Sequence, residues 1–219
     1  NEEKSGYFDL NYGTTNFASL TAFSYNDFGD LKMGRSKNHN GDFVGERPFY
    51  VETINGTDVL TPNSDKYTQK TSGYKQYNFM QKLAYKTQSG FTHSANFQYS
   101  TSTDINRYDR LTDPAGSGLK SAEWYYGPQK RLLGVYSLEK ENVFANTDFK
   151  LDAGYQNVEE SRINRNFGSA NRNNRIEKVA VYSLGANFET KLKKGNLYYG
   201  IENYYDDLTS SAFRNNINT

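Results

Sequence analysis

From Val143 to Tyr155 apolar or small residues alternate with polar ones. Only an extended strand turns a period of two into two different faces. Val143, Ala145, Thr147, Phe149, Leu151, Ala153 and Tyr155 would point one way, and Asn146, Asp148, Lys150, Asp152, Gly154 and Gln156 the other. The ladder reads as one long strand between an apolar and a wet medium. It recurs: Tyr77, Phe79, Leu83 and Tyr85 alternate with Asn78, Met80, Lys82 and Lys86, and Phe91, Ala95, Phe97 and Tyr99 with Thr92, Ser94, Asn96, Gln98 and Ser100.

Composition narrows what such strands can build. Of 219 residues only 35% are hydrophobic, and the mean hydropathy is −0.90, yet 16% are aromatic, with 19 Tyr and 14 Phe. Disordered chains are poor in aromatics; high polarity beside many Tyr fits a wall one side chain thick with a wet side and aromatic girdles. No apolar run approaches the roughly 20 residues of a membrane helix. The net charge of +1 supplies no field for nucleic acid. The absence of cysteine excludes disulfides and thiolate metal sites. Asn1–Gly6 contains no signal-peptide hydrophobic region and reads as a processed end or a cut inside a longer protein.

Eight strands in four hairpins are predicted, at about 6–12 and 16–26, 74–86 and 90–102, 123–139 and 142–157, and 175–192 and 195–207. Tight turns fall at Gly13-Thr14-Thr15, Thr87-Gln88-Ser89-Gly90, Lys140-Glu141 and Lys193-Lys194-Gly195, with long connections over Phe28–Lys70, Thr103–Ala122 and Val158–Asn174. Short turns at one rim and long loops at the other, joined by strands longer than the usual five or six residues, are the pattern of an antiparallel up-and-down transmembrane β-barrel.

No catalytic constellation is present: there is no Gly-x-Ser-x-Gly elbow, phosphate-binding Gly-rich loop or His-Glu-x-x-His. Glu159-Glu160 and Asp206-Asp207 read as solvated rim charges, and Lys191–Lys194 as the rim of the short turns. The Asn- and Arg-rich segment Asn164–Arg175 reads first as a mobile, solvated loop and second as a contact for anionic lipopolysaccharide or another anionic ligand. His39, near Arg35, Lys37 and Arg47, reads as a polar loop residue rather than a haem or metal ligand. His93 lies on the apolar phase of its strand, between Phe91 and Ala95. Arg107–Asp113 and Ala122–Arg131 are denser. The Trp and Tyr residues suit an aromatic girdle, and the Arg/Asp/Tyr cluster suits either pinning a loop to the rim or contacting a ligand. The ligand-binding candidates are Tyr108, Arg110, Trp124, Tyr125 and Tyr126.

These two segments, with Phe28–Gly34, Ser72–Leu83 and Gln98–Ile105 leading to Tyr108–Leu111, resemble the barrel of TonB-dependent outer-membrane receptors, especially those of Bacteroidetes-type bacteria. The resemblance covers roughly Asn16 to Lys140. It implies a non-enzymatic receptor in the bacterial outer membrane, with a plug inside a barrel of about 22 strands. Such receptors take up scarce ligands (siderophore-iron, haem, cobalamin or glycans) through energy delivered by TonB. Partners would be outer-membrane lipid, lipopolysaccharide, a small-molecule ligand and, through a segment ahead of the plug, the TonB complex. No cofactor, metal or nucleic acid is implied. The chain departs from the pattern in having no plug segment ahead of Asn1, too few strands, and no terminal aromatic residue at Phe213–Thr219. Residues 1–219 are therefore expected to be a partial barrel domain, about eight strands of a larger one. Two other readings stay open: a complete eight-stranded outer-membrane barrel with a structural or adhesive role, and a soluble β-sandwich that binds carbohydrate through Trp124, Tyr125 and Tyr126.

Overall fold

A computed structural model describes residues 2–34, 36–37, 39–41 and 45–218. The chain is all-β, with 73% strand and 2% helix, in antiparallel sheets. The first hairpin joins β1 (Glu3–Gly13) to β2 (Phe17–Phe28). An excursion carries β3 (Leu31–Lys32), β4 (Phe49–Ile54), β5 (Thr57–Pro62) and β6 (Thr68–Gln69). The second hairpin pairs β7 (Tyr74–Lys86) with β8 (Phe91–Ser102), followed by β9 (Ile105–Asn106), the single helical turn α1 (Tyr108–Leu111), β10 (Pro114–Ala115) and β11 (Gly118–Leu119). Then come β12 (Ser121–Tyr126), β13 (Lys130–Phe144), β14 (Thr147–Asn166), β15 (Asn171–Leu192) and β16 (Gly195–Asn216).

The long strands form one antiparallel layer in chain order: β1, β2, β7, β8, β13, β14, β15, β16. β12 continues the line of β13 beyond Gly127-Pro128-Gln129 and pairs with the upper part of β14. Proline cannot donate to the ladder, so an interruption there is expected. Among the described residues β1 pairs only with β2 and β16 only with β15, so the layer has two free edges and is not a closed barrel. Nor does a second long sheet cover it, as a sandwich would require. Buried apolar residues are confined to Ala22, Leu111 and Ile163 among those described, so nothing resembling a hydrophobic core exists.

Register sorts the two faces instead. Phe149 of β14 lies opposite Phe188 of β15 and Tyr199 of β16, and Tyr155 opposite Tyr182 and Tyr205. Ring centroids are 5.1 Å apart for Phe149–Phe188 and for Tyr155–Tyr182, and 5.2 Å for the stacked Phe188–Tyr199 pair. Leu151, Ala153, Leu184, Ala186 and Ile201 lie between these aromatic rows, with Leu184 55% and Ile201 73% exposed. The other face carries Glu139, Lys150 and Asp152, with Lys150 Nζ 3.3 Å from Glu139 and 3.7 Å from Asp152.

Several boundaries differ from the sequence reading: the first strand starts at Glu3, and the strand expected at 123–139 is broken at 127–129 into β12 and β13. The hairpin expected at Lys140-Glu141 turns at Ala145-Asn146, both at positive φ (40° and 57°), while Asn142 (φ 49°) lies in a register shift between Lys140 and Phe144. The ladder Val143–Tyr155 is thus two strand pieces joined by a tight turn. A two-residue turn shifts the parity: Phe144, opposite Thr147, shares the face of Phe149 and contacts Phe188 at 6.1 Å, so Val143 lies on the other face and its alternation with Phe149 is a coincidence of sequence. The expected connection Val158–Asn174 shrinks to residues 167–170, because β14 and β15 run on as a tall hairpin. The last strand extends to Asn216 rather than ending near Asp207. The remaining turns, after Gly13, Lys86 and Leu192, fall where expected.

Candidate functional site

On the face that carries Phe149 and Tyr155, the apolar stretch ends at a charged row. Glu159 Oε1 accepts from Lys130 Nζ at 3.0 Å, and its Oε2 faces Lys178 Nζ at 3.0 Å. Beyond this row β14, β15 and β16 carry polar cross-strand pairs. Asn173 Nδ2 donates to Asn164 Oδ1 (3.0 Å), Arg214 Nε to Asn173 Oδ1 (3.0 Å) and Asn174 Nδ2 to Asn215 Oδ1 (2.6 Å). The polar composition of Asn164–Arg175 therefore lies on both faces of a sheet, and the expected solvated loop is corrected to strand–turn–strand.

Arg165, inside that segment, is 1% exposed and spends all five N–H donors. Nε donates to Glu123 Oε1 (2.8 Å), Nη1 to Asp58 Oδ2 (2.7 Å) and the Ser169 carbonyl (2.8 Å), and Nη2 to Asp58 Oδ1 (2.7 Å) and Thr53 Oγ1 (2.8 Å). Asp58, also 1% exposed, accepts further bonds from Thr53 Oγ1 and the Gly168 amide, each at 2.8 Å. Arg172 grips the same Glu123 through Nε (2.6 Å) and Nη2 (2.9 Å). Planar guanidinium against carboxylate is the geometry in which charge-assisted bonds are strongest. Burial pushes the Asp58 and Glu123 carboxyls up, but the arginine hydrogen bonds outweigh it and hold both below their ordinary values. Thr53 and Asp58 flank the Asn55-Gly56 turn of the β4–β5 hairpin, whose positive φ values (50° and 77°) suit Asn-Gly. The hairpin is thereby strapped onto β14.

Alternation along β12 divides the aromatic candidates. Trp124 pairs with Asn164 and Tyr126 with Arg162 on one face, while Tyr125 pairs with Ile163 and Glu123 with Arg165 on the other. Trp124 and Tyr126 meet edge to face at 5.3 Å. The Arg107 guanidinium lies 4.9 Å from the Trp124 ring and 5.6 Å from that of Tyr126, and its Nη1 donates to the Tyr126 hydroxyl at 2.9 Å. Its Nε bonds Asp109 at 3.0 Å. These bonds raise the Arg107 pKa and hold Asp109 below its ordinary value. Arg107 thus pins the connection after β8 to β12, as one of the two readings of this cluster anticipated. Tyr108 and Arg110 lie on α1; Tyr108 is 40% exposed, and Arg110 Nη1 reaches Asp113 at 3.5 Å. The structure gathers Trp124 and Tyr126, and no bond or ring contact ties Tyr108 or Arg110 to them.

Tyr125 instead lines a cleft of about 320 Å³ where the two long connections meet β12, together with Arg47, Val51, Asp104, Leu111 and Arg172. Arg47 and Asp104 were not among the ligand-binding candidates read from the sequence, and Arg172 entered only as part of Asn164–Arg175; nothing in strand periodicity marks the three. The Asn106 side chain closes one wall by donating to the Thr71 carbonyl at 2.7 Å. Gly127 makes the fit possible. At φ 125°, a Cβ built there would lie 3.0 Å from the Asp104 Cα and 3.1 Å from the Thr103 carbonyl. His93 Nδ1 lies 2.7 Å from the Tyr136 hydroxyl on the aromatic face, and among the described residues no three His, Cys, Asp or Glu side chains are grouped to hold a metal. Arg35 lies outside the described residues. No family model, curated protein or solved structure matches this chain.

Proposed function

We propose that the chain forms part of the wall of an outer-membrane barrel, adjacent staves of a TonB-dependent receptor whose rim loops face a scarce ligand. The observation that carries this reading is the length of the apolar face. On β14 the outward positions from Phe149 to Asn157 are uncharged, framed below by Thr147 and above by the Glu159 ion pairs; on β13 the corresponding stretch lies between Lys140 and Lys130. About nine residues at about 3.3 Å each, tilted by about 45°, span roughly 21 Å, near the ~25 Å apolar band of such barrels. Inside the band, Ser19, Thr21 and Gln81 satisfy one another: Thr21 Oγ1 donates to Gln81 Oε1 (2.6 Å), and Gln81 Nε2 to Ser19 Oγ (3.0 Å). That is the arrangement required where water is absent.

The free outer edges of β1 and β16 support the multi-stave part of the reading, since exposed edges of this length otherwise invite aggregation. A sheet with one apolar and one hydrogen-bonding face separates lipid from a polar lumen. Transport, TonB coupling and the ligand belong to the family resemblance; among siderophore-iron, haem, cobalamin and glycan, no class is singled out by the resemblance. The cysteine-free chain permits a direct test of the wall. Ser183→Cys and Leu184→Cys place thiols on opposite faces of β15. In lipid vesicles a water-soluble maleimide is expected to label Ser183→Cys and spare Leu184→Cys. Equal labelling would overturn the membrane assignment. For the receptor, disrupting the gene segment is expected to abolish TonB-dependent uptake of one ligand class, and unaltered uptake of all four would remove the family reading.

A further inference from the structure

On the aromatic face one glycine stands where nothing in the fold requires it. Gly134 lies inside β13 without a positive φ, and a Cβ built there would meet no atom within 4 Å. Glycine weakens a strand interior, and it marks places where a ligand comes close to the backbone. Its cross-strand neighbours are Phe97 of β8 and Tyr155 of β14. Each ring has a partner on the side away from Gly134: Phe97 meets Phe79 at 6.2 Å, and Tyr155 meets Tyr182 at 5.1 Å. In the next outward row Tyr136 stands between Ala95 and Ala153, its hydroxyl 2.7 Å from His93 Nδ1. These residues form an apolar groove of about 440 Å³, floored by Ala95, Gly134 and Ala153. Four residues along β13 from Gly134, or about 13 Å at ~3.3 Å each, the same face carries Lys130. Lys130 and Lys178 share Glu159, at 3.0 Å from each, and their side chains are 43% and 54% exposed. One carboxylate offsets only one of the two charges, and each ammonium has three donors. Asp207 on β16 lies three strands from Lys130, and among the described residues it forms no ion pair with either lysine. Beyond Lys178 the same face continues with Asn174, Thr209 and Ser211.

We propose that the groove and the two lysines hold one phosphorylated glycolipid of the leaflet at the long-loop end. An acyl chain lies along Gly134, a phosphate accepts from Lys130 and Lys178, and the sugars meet Asn174, Thr209 and Ser211. A neutral lipid would leave the excess charge unanswered, and a sugar phosphate without acyl chains would leave the groove empty. A glycerophospholipid would fill the groove and reach the lysines, but it offers no sugar to the amide and hydroxyls above them. The inference rests on the membrane reading and names a lipid partner for that wall.

The test is native mass spectrometry of the full chain in detergent micelles, titrated with diphosphoryl lipid A, with its dephosphorylated form and with dipalmitoyl phosphatidylglycerol. Diphosphoryl lipid A is expected to bind at least about tenfold more tightly than either of the others. Lys130→Gln combined with Lys178→Gln should erase its advantage over the dephosphorylated form while leaving the affinity for that form unchanged. Gly134→Leu points into open space, so the fold is expected to survive, and by filling the groove it should weaken both forms of lipid A about tenfold. Phosphatidylglycerol binding as tight as that of diphosphoryl lipid A would overturn the proposal. So would a phosphate preference that persists in the double lysine variant, or unchanged affinities in folded Gly134→Leu. The Ser183 and Leu184 labelling contrast is read separately: its presence beside any of these failures removes the lipid site alone, whereas its loss removes the membrane reading.

Discussion

Asp58 and Arg165, 107 residues apart in the chain, form a two-pronged ion pair in which both side chains are 1% exposed. The pair joins the turn of an excursion hairpin to the upper third of β14, and so fixes how the longest connection lies over the sheet.

Removing one partner strands the other in a dry site. Asp58→Ala is expected to cost about 3–5 kcal/mol of local stability, whereas the double replacement Asp58→Leu with Arg165→Met is expected to restore most of it. Proteolytic susceptibility of residues 49–62, measured for the single and double variants, gives the coupling. The pH dependence follows from the depressed Asp58 carboxyl, whose ordinary value is 3.8. The stabilisation is complete above that ordinary value and is lost only as pH falls through the lower folded-state value. Protection of the hairpin should therefore be flat from neutrality to about pH 4 and fall only below it.

Arg107 ties α1 to β12 through the Trp124 face and the Tyr126 hydroxyl. Arg107→Ala should loosen residues 103–120 at a cost of about 1–2 kcal/mol. Trp124 is the only tryptophan, so its fluorescence reports the change: a red-shifted emission is expected, and an unchanged spectrum would show that the guanidinium does not shield the indole.

Gly127 combines a φ of 125° with backbone atoms 3.0 Å and 3.1 Å from where a Cβ would stand. Gly127→Ala should cost about 2 kcal/mol or more, since conformation and space both oppose it. Faster amide exchange at Asp104–Asn106 is the expected sign; β14 lower down should keep its protection.

Charge placement tests the two faces energetically. In lipid, Leu184→Arg should destabilise the sheet by about 2–4 kcal/mol, while the neighbouring Ser183→Arg should cost little. Denaturation midpoints in vesicles compare the two. Equal costs would mean that both faces meet the same medium.

The strands were legible because alternation is a local signal, and a two-faced sheet needs nothing else to specify it. The same signal concealed the Ala145-Asn146 turn, because Val143 and Ala145 happen to continue the small-apolar phase of β14 although the turn shifts the parity and puts Phe144 on the Phe149 face, and it gave no warning that Lys140-Glu141 continues as strand with an irregularity. Asn164–Arg175 misled because polarity was equated with looseness, whereas here Asn and Arg pair across strands. Asn55-Gly56, between Val51 and Val59, is a strong hairpin signal lying inside what periodicity treats as one long connection. Splitting Trp124 and Tyr126 from Tyr125 required only applying the period of two to β12. The Asp58–Arg165 pair and the Arg47–Asp104 cleft are different in kind. They join residues remote in sequence, and no window along the chain contains both partners.

The chain-order layer has a consequence for how the molecule assembles. Every long strand finds its partners in the strand before and the strand after it, so each pairing closes only the connection just synthesised, and the sheet can grow hairpin by hairpin as a zipper does. The strap between Asp58 and Arg165 obeys the opposite rule. It cannot close until β14 is in place, and it makes the folding of the first long connection wait for the sixth long strand.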